Sequence, residues 1–92
     1  MKLSEIPPGS GKAGTINGKP VAVYNDSGTP VVFDNTCPHA GCETEWNAAE
    51  KTWDCPCHGS RFTAQGTVVN GPATSPLPKL NGKVEGDEIA LG

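Results

Sequence analysis

Short runs of β-branched and aromatic residues, separated by turn sequences, dominate both ends of this 92-residue chain. The clearest runs are residues 20–24 (PVAVY) and 30–34 (PVVFD), whose residue types favour β-strands. Asn17-Gly18 between residues 14–16 and the run after Lys19 is typical of a type I′ turn. The pattern therefore predicts an antiparallel hairpin at the start of the chain.

Turn sequences continue to the end of the chain. Residues 25–28 (NDSG), Asn81-Gly82 and residues 85–87 predict further turns, and Val84 with residues 89–91 predicts a closing hairpin. No stretch has sustained helical periodicity, and residues 46–51 (WNAAEK) could form at most one helical turn. Many short strands with regular turns predict an all-β fold, an antiparallel sandwich or small barrel.

Composition limits the size of the core. Hydrophobic residues make up 35% of the chain, whereas Gly and Pro contribute 12 and 9 residues. A chain of this length forms one domain, which we assign to residues 1–92. A domain with so few large apolar side chains is expected to need a disulfide, a metal or a partner for stability.

The charge pattern excludes some partners. Seven Lys and Arg residues are scattered within a net charge of −3, so no basic stripe predicts nucleic-acid binding. No apolar run reaches the roughly 20 residues of a membrane-spanning helix. The first residues lack an apolar stretch typical of a signal peptide, which favours a cytoplasmic over a secreted location.

All four cysteines and both histidines lie in residues 36–62, an insert between the two β-rich ends. They form two motifs, CPHAGC at residues 37–42 and CPCHGS at residues 55–60. The candidate metal ligands are Cys37, His39, Cys55 and His58. A [2Fe–2S] centre with two Cys on one iron and two His on the other would need both motifs to approach it. Gly41 and Gly59 would let the backbone bend tightly around inorganic sulfur.

The two remaining cysteines, Cys42 and Cys57, lie one in each motif. If the motifs face each other, these cysteines are placed to form a disulfide worth about 3 kcal/mol in the chain-entropy model. Three other interpretations compete. They are a zinc site, for which the C-x-H spacing is unusual, a two-disulfide scaffold, which leaves the histidines unexplained, and a thiol redox motif, for which no isolated C-x-x-C exists.

The two motifs closely resemble the cluster-binding motifs of Rieske iron–sulfur proteins, in the form with an additional cysteine pair. The resemblance continues through Arg61, Phe62, Gly66, Val68, Val69 and residues 70–73, and it covers most of the chain from Val21 onward. It implies an antiparallel β-sandwich base with an inserted cluster-binding subdomain. It also implies a proline loop, residues 71–78 here, over a third side of the cluster.

The resemblance assigns the site residues and the cofactor, a Rieske [2Fe–2S] cluster. It implies that Cys37 and Cys55 hold the buried iron, that His39 and His58 hold the exposed iron, and that Cys42 and Cys57 form the family's disulfide. It also implies two residues that tune the potential.

Ser60 matches a serine that donates a hydrogen bond to a cluster sulfide in high-potential relatives. Phe62 stands where those relatives have a tyrosine whose hydroxyl reaches a ligand cysteine sulfur. Because hydrogen bonds to sulfur favour the reduced cluster, we expect a potential in the middle of the Rieske range of roughly −150 to +300 mV.

The implied function is single-electron transfer between a flavin or quinone donor and an acceptor, without independent substrate turnover. Residues 46–62 also resemble Rieske domains fused to bacterial flavin-dependent oxidoreductases, which implies a flavoprotein partner. A free imidazole nitrogen on each ligand histidine would let electron uptake couple to proton uptake. The alternatives are an electron-entry component of a Rieske oxygenase, disfavoured by the disulfide pair, and a module whose cluster only holds the fold.

Aromatic and acidic residues of the insert have plainer interpretations. Trp46 and Trp53 are expected to pack the insert against the β base. Glu43, Glu45 and Glu50 are expected to form a solvated face, with a docking patch for a basic partner as the alternative.

Overall fold

The computed structural model describes residues 1–35, 43–56, 59–71 and 75–91. A short 3₁₀ turn at Leu3–Glu5 precedes ten strands. The strands are β1 (Gly11–Ile16), β2 (Lys19–Asp26), β3 (Thr29–Asp34), β4 (Glu45–Asn47), β5 (Thr52–Asp54), β6 (Arg61–Thr63), β7 (Val68–Asn70), β8 (Lys79–Leu80), β9 (Gly82–Glu85) and β10 (Glu88–Leu91). The predicted all-β class is confirmed.

The base of the fold is an antiparallel sheet with the order β1-β2-β3-β8. Its first hairpin turns at Asn17 and Gly18, whose φ angles of 53° and 76° match the predicted type I′ turn. The second hairpin turns at Ser27 and Gly28, within the predicted turn 25–28, because β2 continues through Asp26. The sequence therefore predicted both base hairpins and their order.

The C-terminal hairpin β9–β10 lies beside the base sheet and was also predicted. Gly82 belongs to β9 rather than to a turn, so the predicted Asn81-Gly82 turn reduces to the single residue that separates β8 from β9. The hairpin and one face of the base sheet enclose a hydrophobic cluster, which we call the base core. The base core consists of Ile6, Ile16, Val21, Val23, Val32 and Ile89.

Strands β4 and β5 of the insert pair with β6 and β7, which extend beyond the insert, in a second antiparallel sheet of order β4-β5-β6-β7. Trp46 and Asn47 belong to β4, so the single helical turn considered for residues 46–51 is limited to the end of that segment. The remaining residues form a turn in which the Lys51 amide donates to the Asn47 carbonyl at 2.7 Å. The sequence did not predict strand β4, because its residues are mostly polar. Pairing with β5 stabilises the strand, rather than an alternation of apolar and polar residues within it.

The second sheet packs on the other face of the base sheet. The hydrophobic cluster between the two sheets, which we call the interface core, consists of Ala22, Phe33, Trp53, Cys55, Phe62 and Leu77. Trp46 packs against it and also lies next to Trp53, with ring centroids 4.8 Å apart. A Cβ on Gly11 of β1 would lie 2.8 Å from ring atoms of both tryptophans. The predicted role of the tryptophans, packing the insert against the base, is confirmed.

Burial on both faces explains the continuous apolar runs of β2 and β3. Val21 and Val23 point into the base core, whereas Ala22 between them points into the interface core. On β3, Val32 and Phe33 divide in the same way. A strand covered on both faces has no polar side, so its sequence does not alternate.

Among the described residues, no helix has the length and apolarity that a membrane span requires.

Candidate metal centre

Three segments of the chain leave the same end of the second sheet. The strand register aligns one residue from each strand in a row: Glu45 opposite Asp54, Asp54 opposite Arg61, and Arg61 opposite Asn70. The first motif ends shortly before Glu45, the second motif lies between Asp54 and Arg61, and the proline loop begins after Asn70. The topology therefore brings one end of each of the three predicted cluster-binding segments to the same end of the second sheet.

The second motif is closed at its base by backbone hydrogen bonds. The Cys55 amide donates to the Ser60 carbonyl at 2.7 Å, and the Gly59 amide donates to the Cys55 carbonyl at 3.0 Å. Gly59 has a φ of 79°, a left-handed conformation that residues with a Cβ rarely adopt. The expected tight bend at Gly59 is therefore confirmed, whereas Gly41 lies outside the described residues.

Cys55 is a buried thiol at the edge of the interface core. Its exposed fraction is 1%, and within the described part of the chain it is a free cysteine. It shares this core with Phe62, and Ser60 beside it is also fully buried. A buried thiol at a loop base, with backbone on one side and apolar rings on the other, suits a soft metal ligand shielded from water.

An ion pair joins the residues on either side of the second motif. Arg61 Nε lies 3.1 Å from Asp54 Oδ1, and both side chains are about one-third exposed, 32% and 33%. The Thr52 hydroxyl donates to Asp54 Oδ1 at 2.7 Å, and Asn47 Nδ2 donates to Asp54 Oδ2 at 2.9 Å. Partial burial raises the pKa of Asp54, but the hydrogen bonds from Asn47, Thr52 and Arg61 together outweigh it and lower the pKa below 3.8. Asp54 is therefore a carboxylate at neutral pH.

A buried polar pair closes the base of the first motif. Asn35 follows β3 and Thr44 precedes β4, and their exposed fractions are 0% and 1%. Asn35 Nδ2 donates to the Thr44 carbonyl at 3.2 Å, while Asn35 Oδ1 accepts from the Thr44 amide at 3.1 Å and from the Thr44 hydroxyl. These bonds join Asn35 to Thr44, and residues 36–42 between them lie outside the described residues.

The far end of the proline loop is fixed by two backbone hydrogen bonds. The Leu77 amide donates to the Gly66 carbonyl at 2.9 Å, and the Asp34 amide donates to the Pro78 carbonyl at 2.8 Å. Gly66 has a φ of 84°, and a Cβ there would lie 2.7 Å from Phe33. The loop therefore returns from the site to the interface core and then to the base sheet.

The structure places three of the predicted site residues: Cys55, Ser60 and Phe62. The other five, namely Cys37, His39, Cys42, Cys57 and His58, lie outside the described residues. Within the described ranges, no group of three or more His, Cys, Asp and Glu side chains could hold a metal ion elsewhere.

Sequence reasoning missed the residues at the bases of the two motifs: Asn35, Thr44, Asp54 and Arg61. Their positions carried a signal, because Asp54 and Arg61 directly flank the second motif, and Asn35 and Thr44 each lie one residue away from the first motif. In the second pair the two residues also have opposite charges.

The fold and the buried thiol describe a small iron–sulfur domain, and comparisons with known proteins establish its family. The family model for the Rieske [2Fe-2S] domain matches residues 1–81. This chain belongs to the Rieske [2Fe-2S] family and is an electron-transfer domain. The cofactor implied by that family is a [2Fe–2S] cluster, and the buried thiol of Cys55 is chemically suited to be one of its ligands.

Curated relatives include larger proteins. The chain is 51% identical over 82 residues to the Rieske 2Fe-2S iron-sulfur protein YhfW of Bacillus subtilis (strain 168), covering 88% of this chain and 16% of that protein. It is 34% identical over 90 residues to the cytochrome b6-f complex iron-sulfur subunit of Chlorobaculum thiosulfatiphilum, covering 98% of this chain and 50% of that subunit. The chain thus spans half or less of these relatives' length.

Solved structures confirm the Rieske fold along nearly the whole chain. The plasma membrane Rieske protein PetC3 from Synechocystis PCC 6803 matches with a TM-score of 0.82 and 32% identity, covering 99% of this chain and 94% of that one. The ferredoxin of carbazole 1,9a-dioxygenase from Nocardioides aromaticivorans IC177 matches with a TM-score of 0.73 and 26% identity, covering 100% and 92%.

Proposed function

We propose that Cys37, His39, Cys55 and His58 hold the [2Fe–2S] cluster, and that the chain passes single electrons from a flavoprotein to an acceptor. The proposal depends on the buried free thiol of Cys55. This thiol lies at the end of the second sheet from which all three loop segments leave. When bound, the cluster supplies one-electron redox chemistry. The chain's own residues hold it, exclude water from its protein side and fix its orientation.

The two halves of the ligand set have different tasks. Cys37 and Cys55 bind the iron nearer the interface core, because the described thiol is already buried there. His39 and His58 bind the outer iron, where imidazole ligands are compatible with contact to a partner. Cys42 and Cys57 form a disulfide that joins the two loops beyond their hydrogen-bonded bases.

Replacement of neighbouring cysteines tests the ligand set. We expect Cys55→Ser to lose bound iron and the visible absorption of the cluster. Cys57→Ser, two positions away, should keep both while lowering thermal stability, since it removes only the disulfide. Iron and sulfide analysis of the purified variants measures the difference. Retention of a full cluster in Cys55→Ser, or its loss in Cys57→Ser alone, would contradict the assignment.

The flavoprotein donor is supported by the resemblance of residues 46–62 to Rieske domains joined to flavin-dependent oxidoreductases. The match to YhfW is compatible with such a fusion, because 84% of that protein lies outside the part that matches this chain. Anaerobic mixing with reduced flavin mononucleotide in a stopped-flow instrument tests the pairing. We expect complete bleaching with one electron taken up per chain. A protein that dithionite reduces but reduced flavin does not would rule out a flavin donor.

A second candidate acceptor follows from the structural match to a dioxygenase ferredoxin. In this alternative the chain delivers its electron to an oxygenase that carries the substrate site. The two candidates differ in the acceptor, so reoxidation of the reduced chain by a purified Rieske oxygenase distinguishes them. Reoxidation that matches the oxygenase's turnover rate favours the ferredoxin role, and its absence rules out that oxygenase as the acceptor.

A further inference from the structure

The residues on either side of the second motif carry opposite charges and face each other across β5 and β6. Asp54 directly precedes Cys55, and Arg61 directly follows Ser60. Their strands pair them in register, and Arg61 Nε lies 3.1 Å from Asp54 Oδ1. The charges thus lie at the base of the loop that carries the described thiol of Cys55 and one further candidate ligand, His58.

We infer that Asp54 and Arg61 tune the reduction potential of the cluster as two opposed charges held at the base of its second loop. The inference rests on the proposed ligand set and adds two residues to it. Neither touches the cluster as a ligand; both act through the electrostatic field at the loop and through the geometry of its base.

The pair is held more firmly than an ordinary surface ion pair. The Thr52 hydroxyl donates to Asp54 Oδ1 at 2.7 Å, and Arg61 Nη2 lies 3.3 Å from the same hydroxyl oxygen. Asn47 Nδ2 donates to the other Asp54 oxygen at 2.9 Å. Four side chains from three strands therefore fix both charges, and one-third exposure leaves each only partly screened.

Asp54 and Arg61 have opposite effects on the reduction potential of the cluster. Reduction adds one negative charge to the cluster, so a nearby cation stabilises the reduced form and a nearby anion destabilises it. While Asp54 and Arg61 are paired, their fields largely cancel at the loop. Removing the carboxylate leaves the guanidinium unopposed and should raise the potential, whereas removing the guanidinium leaves the carboxylate unopposed and should lower it.

Further acidic residues lie near the pair, one beside Arg61 and one beside Asp54. Glu50 Oε1 lies 3.9 Å from Arg61 Nη2, and Glu45 is the register partner of Asp54 on β4. Because the fields of separate charges add, Glu50 and Glu45 act on the loop both before and after either substitution. We therefore expect the downward shift from Arg61→Gln and the upward shift from Asp54→Asn to be of similar size.

Protein-film voltammetry of the full chain with its cluster tests the inference. Asp54→Asn should shift the reduction equilibrium about threefold toward the reduced form, about +28 mV for one electron. Arg61→Gln should shift it by a similar amount in the opposite direction, and the double variant should lie between the two. Glu85→Gln, which removes the carboxylate of the exposed Lys83 pair on the C-terminal hairpin, is the matched control and should cause no shift.

A purely structural role would give a different result. If the pair only stiffened the loop, both single variants would move the potential in the same direction, and that outcome would overturn the inference. If Asp54→Asn does not fold, Glu50→Gln removes an exposed carboxylate from the same guanidinium and should raise the potential by a smaller amount. Failure of the proposed function looks different again, because the wild-type chain itself would then lack two iron atoms and the Rieske spectrum.

Discussion

Asn35 and Asn25 provide a direct comparison between a buried polar side chain that supports the candidate site and one that does not. Both are almost fully buried, with exposed fractions of 0% and 3%. Asn35 bridges the two ends of the first motif through Thr44. Asn25 donates from Nδ2 to the Ile6 carbonyl and accepts at Oδ1 from the Gly28 amide, both at 2.7 Å, within the base.

Replacement of Asn35 by Ala should destabilise the domain strongly. It removes the partner of the Thr44 hydroxyl and carbonyl, and it leaves the Thr44 amide with a single long contact of 3.4 Å to the Asn35 backbone carbonyl. Each buried group left without a partner costs about 1–3 kcal/mol, so we expect a loss of about 3 kcal/mol or more in the free energy of unfolding. For a domain of this size, that loss lowers the melting temperature by about 12 to 24 °C.

The comparison with Asn25→Ala separates fold from site. That variant leaves the buried Ile6 carbonyl without its partner, whereas the exposed Gly28 amide can bind water, so its melting temperature by circular dichroism should fall by a smaller amount. Only Asn35→Ala should also release iron faster to a chelator at a temperature where both variants stay folded. Equal iron release from the two variants, or a melting temperature of Asn35→Ala within a few degrees of wild type, would refute the proposed role of this pair.

Three other substitutions test separate parts of the structure. Phe62→Tyr should raise the reduction potential, because a hydroxyl that donates to a ligand cysteine sulfur favours the reduced cluster; voltammetry measures the shift. Gly66→Ala should lower the melting temperature, because its φ of 84° strains a side chain and its Cβ would lie 2.7 Å from a ring carbon of Phe33. Asp87→Asn should flatten the loss of stability in acid, as followed by thermal melts between about pH 5 and pH 3 around the ordinary Asp pKa. The Ser4 hydroxyl lowers the pKa of Asp87 from 3.8, so the stability it contributes is present above that pH and is lost as the pH falls through the folded value.

Each of these substitutions has an outcome that contradicts its reasoning. An unchanged or lower potential in Phe62→Tyr would remove the assigned contact to sulfur. Gly28→Ala has the same kind of backbone strain, with a φ of 97°, but nothing within 4 Å of the new Cβ. Equal destabilisation of Gly28→Ala and Gly66→Ala would show that packing against Phe33 has no effect. An acid profile of Asp87→Asn identical to wild type would remove the stabilising contact to Ser4.

The sequence predicted the base better than the insert, for a physical reason. The hairpins of the base depend on local turn chemistry, such as the Asn17-Gly18 pair, and on runs of residues with strong strand preference. The strands β4 to β7 have three residues each and form because they pair with one another and pack on Trp53 and Phe62. That stabilisation is not local, so no pattern within a single strand reports it.

The candidate site could be predicted from the chemistry of its residues, whereas the residues that support its loops could not. Cysteine and histidine stand out because few other roles require them in such spacing, and Cys55 does lie buried at the loop base. Asn35 and Thr44 are ordinary polar residues whose importance appears only when the register brings them together. The opposite charges of Asp54 and Arg61 were visible in the sequence, but the contact between the two side chains depends on the pairing of β5 with β6.

The central claim is that two thiolates and two imidazoles hold one [2Fe–2S] cluster, and pulsed electron paramagnetic resonance of the dithionite-reduced chain tests it most directly. Metal analysis of the same sample provides the iron and zinc content. We predict two iron atoms per chain, no zinc, and nitrogen couplings from two histidine ligands that fall to one in His39→Cys and in His58→Cys. A zinc-containing sample, or an iron–sulfur spectrum without nitrogen couplings, would contradict the account.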